Sequence, residues 1–545
     1  MRFPKLNPIA IVFAFSLLAA LSVATIAFAQ SPTSQTGNDS ASETRPLTPA
    51  ERRGRALYLR GESASKREIT AIVNELDVPA STVTCAGCHG RRGEGKSEGG
   101  VTAGNLTWSN LIKPYGHTHP TGRKHGPFTE SSFATAVVRG VDPAGNDLVV
   151  AMPRYHMSIE DMNDLIAYIK RLEFDRDPGV TAESIDVGVP LPTSAALAET
   201  GQSIRQALTA YFDDLNSHGG IYNRKIKLHF TDAATTDVSA GLRALTTQNQ
   251  VFAFIGGISA GADKQLAAFA REEEIPFVGP ATLLPQLEHP PNRYIFYLLP
   301  GVTEQAGALV NYADQQLGIK KQHVALLVPN GELAGAAADA VIAHAKQVGW
   351  TDVVKVPYAA DKFDAPQIAQ QLKTENTAAV FVFGAGTDIE NFVKAADALQ
   401  WTPYVLSLGV MTSQGLAANL PAAFTKKIFL AFPTVPADVS AEGVAEYRGL
   451  AEKYKLPSRH AAAQLAALAA AKTFVEGLKR AGADLSREQL ITALEGLYDY
   501  ETGLTPKLIF GPNRRVGASG AYVITINTET KEFVSTGGWI NAGSN

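Results

Sequence analysis

Two kinds of hydrophobic spacing divide the chain near residue 175. Ahead of that point the periodic segments are helical. The stretch 50–59 turns Ala56, Leu57 and Tyr58 toward one side. Thr48-Pro49-Ala50-Glu51 before it has the form of a capping box with Pro at the first helical position. A second amphipathic helix is predicted over about 160–172, with Met162, Leu165, Ile166, Tyr168, Ile169 and Leu172 at helical intervals. Between the two, Gly, His and Pro are frequent from 90 to 128 and predict loops. The stretch 61–82 predicts no element. Beyond residue 184 the texture changes. Short apolar runs predict strands at 185–190, 225–230, 252–255, 277–279, 323–328, 353–356, 379–383, 404–408 and 428–432. Ala-rich helices fit between them, at 195–217, 260–273 and 331–347. This alternation predicts parallel α/β sheets, more than one given the number of strands. Residues 461–480 read as a helix, and 520–540 return to strands.

The N-terminus has an export pattern. Arg2 and Lys5 precede an uncharged run from 9 to 29, and Ala27-Phe28-Ala29 stands before Gln30. Residues 1–29 are expected to be a signal peptide; the run is also long enough for an uncleaved anchor. Residues 30–47 are polar and aperiodic, a disordered tether. Residues 175–183, with Pro178 and Gly179, read as a short polar linker.

Length and charge narrow the function. A chain of 545 residues exceeds one ordinary core. Charged residues make up 19% and the formal net charge is -4, which gives nucleic acid no electrostatic footing. The sequence contains no dinucleotide glycine fingerprint. The chain has 2 cysteines, and both lie in Cys85-Ala86-Gly87-Cys88-His89.

That C-x-x-C-H run is the spacing of covalent c-type haem attachment. Two thiols three residues apart can each add to one vinyl group, and the next residue presents its imidazole to iron. A zinc ribbon needs a second cysteine pair, which is absent. One haem c is therefore expected, bound through Cys85 and Cys88 with His89 as proximal ligand. The distal ligand is assigned to Met152, with Met157 as the rival, whose plainer reading is a core methionine at a helix entry. A histidine (His117, His119, His125 or His156) or an open position remains as the third option. His117-x-His119 with His125 suggests a metal site, but no carboxylate or thiol completes the set, and an exposed loop cluster is favoured.

Residues 48–174 resemble a class I cytochrome c. The matching pieces are Gly54-Arg55-Ala56-Leu57-Tyr58, the C-x-x-C-H run with Gly90, Ala151-Met152-Pro153-Arg154, and Asp164-Leu165-Ile166-Ala167-Tyr168-Ile169. The resemblance implies an all-α domain whose first and last helices cross, with Tyr58 and Tyr168 at the crossing. Residues 184–545 resemble periplasmic binding proteins of the branched-chain amino-acid and amide type. The resemblance rests on Asp186-Val187-Gly188-Val189-Pro190-Leu191, on Asn216-Ser217-His218-Gly219-Gly220-Ile221 with Arg224, on Asp232, and on Phe254-Ile255-Gly256-Gly257 and Phe277-Val278-Gly279-Pro280-Ala281. It implies two α/β lobes with a ligand between them, held by loops that follow the strands. The candidate ligand residues are Ser194, Ser259, Ala260, Ala281, Thr282, Thr387 and Asp388; loop capping is the plain alternative for the polar ones. Relatives that bind amino acids place hydroxyls where Ala260 and Leu283 stand here, and a far-lobe acid near Val410. Residues 405–416 contain no carboxylate, so an ordinary α-amino acid is not the expected ligand.

The expected function is periplasmic electron transfer by a haem protein with a fused small-molecule binding domain, coupling ligand capture to a redox or transport system. The expected partners are a dehydrogenase or cytochrome, and an ABC permease. The alternative is a solute receptor of the ABC-transporter type whose haem senses redox state or docks a partner. No catalytic activity of its own is expected.

Overall fold

The computed structural model describes residues 47–542, apart from 96, 99–100, 120, 176, 194, 234–236, 259–260, 414 and 484. The expected export segment 1–29 and all of the tether but Leu47 lie outside these residues. Among the described residues no helix is long and apolar enough to cross a membrane. The chain divides into two compact units, Met1–Asp175 and Arg176–Asn545.

The first unit is framed by helices. They are α1 (Pro49–Arg60), α2 (Cys85–His89), α3 (Trp108–Leu111), α4 (Glu130–Arg139) and α5 (Ile159–Ile169). The capping box of α1 forms in full, with Thr48 and Glu51 exchanging side-chain-to-backbone bonds. Helices α1 and α5 cross at Gly54, where a Cβ would fall 1.9 Å from the Asp164 carbonyl oxygen. Only glycine permits that approach. Tyr58 and Tyr168 meet at the crossing with ring centroids 5.7 Å apart. Arg53 grips both Asp164 carboxylate oxygens, at 2.6 and 2.7 Å.

Short strands are added to this helical frame, chiefly by the 61–82 stretch. Strands β1 (Thr70–Val73) and β2 (Leu76–Pro79) form an antiparallel hairpin. Its turn residues Asn74 and Glu75 have φ of 49° and 69°, the left-handed pair that a two-residue hairpin turn requires. Two further small hairpins follow, β3 (Ser97–Glu98) with β4 (Val101–Thr102), and β5 (His117–Thr118) with β6 (Lys124–His125). The free edge of β1 pairs antiparallel with β7 (Arg154–His156), directly after Met152-Pro153.

The second unit holds two sheets. One has the order β12-β11-β10-β8-β9, with β8 (Ser184–Leu191), β9 (Lys225–Asp232), β10 (Ala253–Ile255), β11 (Phe277–Val278) and β12 (Ile295–Phe296), all parallel. The other has the order β14-β13-β15-β16-β17-β18-β19. Its strands are β13 (Val324–Pro329), β14 (Val353–Tyr358), β15 (Ala379–Val382), β16 (Tyr404–Leu408), β17 (Ile428–Phe432), β18 (Gly520–Asn527) and β19 (Glu532–Asn541), the last two joining antiparallel. The chain passes between the lobes after β12, after β17 and before β18. Helix Ala461–Ala481 packs into the first lobe beside Phe254 and Phe277, while separate clusters cover the two faces of the second sheet. Strands covered on both faces have no polar side, which explains their continuous apolar runs.

The stretch 175–183 is pinned at its ends. Asp175 accepts from Arg55 at 2.9 Å and from the Tyr168 hydroxyl at 2.6 Å, within the first unit. In the second unit, the Arg487 amide donates to Asp177 at 2.5 Å, and the Asp186 amide to the Gly179 carbonyl at 2.8 Å.

Candidate functional site

Helix α2 is one helical turn that exists to present three side chains. The Thr84 hydroxyl caps it, accepting from the Gly87 amide at 3.2 Å, and Gly90 ends it with φ of 81°. The Tyr58 hydroxyl donates to the Gly90 carbonyl at 2.7 Å, so α1 holds the far end of the turn. Both cysteines are free thiols. Burial pushes the Cys85 thiol up to about 12. That burial is compatible with a thioether.

His89 is 9% exposed. Its Nδ1 lies 2.7 Å from the Gly104 carbonyl oxygen, which can only accept. That bond fixes the proton on Nδ1 and leaves the Nε2 lone pair for a metal, the tautomer an iron ligand requires. Burial lowers the pKa of His89 and keeps it neutral. An apolar cavity lined by Leu57, Ile69, Cys85, Tyr155, Met157 and Leu165 adjoins the first thiol. The neutral imidazole and the two thiols of the C-x-x-C-H turn fit haem c; of the expected haem residues the small cavity meets Cys85 and Met157.

The two methionines occupy different places. Met157 packs into the core cluster with Leu57, Tyr155 and Leu165 and lines the cavity beside Cys85. Met152 sits in a turn, half-buried, and its amide donates to the Val149 carbonyl at 3.0 Å. The Arg154 guanidinium donates to the Met152 carbonyl and, at 3.3 Å, to that of Leu148. It lies over Gly140, where a side chain would collide with it. Arg154 thus organises the Met152 turn, a role its sequence position beside Met152-Pro153 did not disclose. The turn exposes Val149 by 51% and Val150 by 73%.

His117, His119 and His125 come together, with ring centroids 5.1 to 6.2 Å apart. This corrects the expected exposed loop cluster, since His125 is 8% exposed and the other two are half-buried. Hairpin β5–β6 folds the three rings onto one another and against Phe128. Among the described residues no group of three or more His, Cys, Asp or Glu is arranged to hold a metal ion. His156 is exposed on β7.

Of the expected ligand residues in the second unit, Ser194, Ser259 and Ala260 lie outside the described residues. Ala281 is exposed at the end of the first-lobe sheet, where its amide donates to the Gly257 carbonyl at 3.0 Å. The Thr282 hydroxyl accepts from the Leu284 amide at 2.9 Å and so caps its own turn. In the other lobe Thr387 is exposed, and Asp388 accepts from the Tyr358 hydroxyl at 2.7 Å. A carboxylate does reach the 409–413 loop, although residues 405–416 contain none. Glu390 accepts from Ser413 at 2.6 Å and Asn419 at 3.0 Å, and is buried. It comes from the helix Gly386–Ala398, a neighbour in space that a scan of the loop itself misses. Among the described residues an ion pair joins the lobes, Lys264 to Glu332 at 2.8 Å, and both partners are exposed.

Comparison with known proteins agrees with this division. Residues 184–531 match the family model described as periplasmic binding protein. Residues 80–173 match the one described as cytochrome c. A branched chain amino acid ABC transporter structure from Thermus thermophilus with bound valine is 18% identical with a TM-score of 0.52, covering 66% of this chain and 97% of that chain. A leucine binding protein from Thermotoga maritima is 16% identical with a TM-score of 0.50, over 66% and 99% of the two chains. A periplasmic binding protein type 1 from Bordetella pertussis is 16% identical with a TM-score of 0.50, over 65% and 99%. At these identities the likeness is one of fold.

Proposed function

Because the chain belongs to the periplasmic binding protein family over residues 184–531 and carries a cytochrome c domain at residues 80–173, we propose that it is a periplasmic electron-transfer protein with a built-in small-molecule receptor. The observation that carries the redox half is the His89 tautomer, fixed by the Gly104 carbonyl beside two free thiols. Bound through Cys85 and Cys88, one haem c supplies reversible one-electron chemistry. His89 offers Nε2 to the iron. Met152 is the distal ligand and Met157 a wall of the pocket, a division supported by the core packing of Met157 and the carbonyl clamp of Arg154 on the Met152 turn. The exposed Val149-Val150 pair beside that turn gives a redox partner an apolar place to approach. The chain acts as a carrier and binder, without catalysis of its own.

In the second unit the loops after β8, β10, β11, β15 and β16 meet a small ligand, with Ala281, Thr282, Thr387 and Asp388 among the residues in reach. Segments that cross between the lobes let them close around it. Binding and redox state are coupled when ligand shifts the haem potential. The test has two parts. Mass spectrometry of small molecules released from the purified full chain identifies the ligand, and potentiometry with and without that ligand measures coupling. A potential that moves supports the coupled reading. A potential that does not move leaves a receptor with a tethered haem. A chain whose Cys85→Ser, Cys88→Ser form still holds covalent haem would sink the haem assignment.

A further inference from the structure

Hairpin β5–β6 places His117 opposite His125, with His119 at the turn. The His119 Nε2 lies 2.9 Å from the His125 Nε2 and 3.0 Å from the Arg123 guanidinium. Hydrogen-bond bookkeeping constrains this contact. Arginine only donates, and the Gly126 carbonyl facing His125 Nδ1 at 2.7 Å only accepts. His125 therefore carries a proton on Nδ1. While the pair is neutral, His119 Nε2 either donates to His125 Nε2 or accepts from Arg123, so one of the two contacts is left unmade. Adding a proton secures the contact between the rings but sets an imidazolium beside a guanidinium.

The charges facing the cluster are Lys113 from the segment after α3, Arg123 from the hairpin turn, and Asp142 from the turn after α4. Asp142 is the only carboxylate among them, and Arg123 already holds it at 2.7 Å. Burial first, then Arg123 and the neighbouring rings, holds His119 below the ordinary histidine value; for His117 burial, helped by His125 and Lys113, outweighs the Asn110 carbonyl bond, which acts the other way.

The cluster is also connected to the haem helix. His117 Nε2 bonds the Asn110 carbonyl at 2.9 Å, and the Asn110 side chain donates to the Asn105 carbonyl at 3.0 Å. The next residue back is Gly104, whose carbonyl orients His89 at 2.7 Å. We propose that the His117–His119–His125 cluster is an acid-operated latch on the 104–111 loop that orients His89. A proton taken from solvent by the His119–His125 contact sets an imidazolium against Arg123 inside the hairpin, and the repulsion displaces β5 and carries neutral His117 away from the Asn110 carbonyl. The loop then loosens, and the Gly104 carbonyl bond to His89 weakens. A less polarised imidazole donates less charge to iron, and added positive charge nearby acts in the same direction. Both favour the reduced state, so the haem potential rises as pH falls.

The inference rests on the haem reading of His89 but fails separately from it, because a cysteine-free chain tests that reading alone. The experiment uses the full holoprotein and the triple variant His117→Gln, His119→Gln, His125→Gln, which keeps side-chain donors but cannot titrate. In the wild type the reduction equilibrium should shift about fivefold or more between pH 7.5 and 5.5, a typical coupling between linked sites. The variant should show a flat profile. Amide hydrogen exchange at 104–111 in the wild type should speed up over the same range, a readout that needs no variant to fold. An equal pH response in both proteins overturns the latch, as does exchange at 104–111 that ignores pH.

Discussion

The Tyr155 hydroxyl donates to the Val83 carbonyl at 2.5 Å, across 72 residues of chain. Tyr155 lies in β7, just after the Met152 turn, and Val83 stands two residues before Cys85. This bond ties the two sides of the haem pocket together. Tyr155→Phe keeps the ring and leaves the half-buried Val83 carbonyl without this donor. It should cost about 1–3 kcal/mol in denaturant unfolding of the first unit. A loss below a few tenths would show that the contact is not part of the pocket's frame.

The methionine assignment makes opposite demands on two variants of the holoprotein. Met152→Ala should abolish the sulfur-to-iron charge-transfer band of the oxidised state and lower the potential. Met157→Ala should keep the band while costing about 2 kcal/mol, as a half-buried core truncation. Arg154→Leu should weaken the band without removing it, because the Met152 and Leu148 carbonyls lose their clamp. Optical spectra across the set decide. Loss of the band in Met157→Ala alone would reverse the assignment.

Asp142 fixes an acid limit for the same unit. Burial pushes its carboxyl up, but hydrogen bonds from Asn146 and Arg123 outweigh this and hold it at about 2. A depressed carboxylate stabilises the fold above its ordinary value of about 3.8 and loses that contribution as pH falls toward 2. Unfolding midpoints should therefore drop over that window. In Asp142→Asn the drop should shrink, and stability at neutral pH should fall by about 3 kcal/mol, since Arg123 loses its partner. A variant whose acid profile matches the wild type would contradict the assignment.

The pinned ends of 175–183 suggest that each unit is complete by itself. Asp175 is held by Arg55 and Tyr168, and Asp177 by the Arg487 amide, each inside its own unit. Chains 48–175 and 177–545 expressed apart should each unfold cooperatively, the first carrying the haem. A molten fragment, seen as lost near-UV dichroism with retained far-UV signal, would show that the units depend on each other.

Much of this architecture was legible because burial leaves a signature in sequence. The strands of the second unit are covered on both faces, so Val324–Pro329 and Ala379–Val382 read as unbroken apolar runs. The hairpin at 70–79 was not legible. Only Ala71 is buried in β1, and β2 is mostly exposed, so neither strand alternates. Its anchor is register against β7, which no local pattern encodes. Helix α4 carried its signals, Thr129 as cap and Gly140 at the end, but the surrounding Gly and Pro masked them. At the site, the C-x-x-C-H spacing announced its chemistry because the spacing is the chemistry. Glu390 and Tyr358 stayed hidden, since each acts on a loop distant in sequence.

The ligand prediction follows from which groups are already engaged. A zwitterionic amino acid leaving water needs donors for its carboxylate and a free acid for its ammonium. In the first lobe Leu283 presents an exposed apolar side chain, and the Thr282 hydroxyl accepts from the Leu284 amide, which leaves its one O–H as the donor there. In the second lobe Val410 is exposed on the loop where an acid is wanted, and Glu390 is held by Ser413 and Asn419. Asp388 keeps one oxygen beyond its Tyr358 bond, enough to accept from a hydroxyl. Such a surface suits a neutral molecule with a hydroxyl group better than an ammonium that requires full neutralisation. Leaving a buried charge unpaired costs about 3–5 kcal/mol. Binding of leucine, isoleucine or valine should therefore be weaker than in a receptor with a free acid, by a factor of about a hundred to a few thousand. Calorimetric titration of the full chain with each of these amino acids measures it. Submicromolar affinity for any of them would mean that Glu390 or Asp388 releases its partner to meet the ammonium, and the neutral-ligand reading would fall.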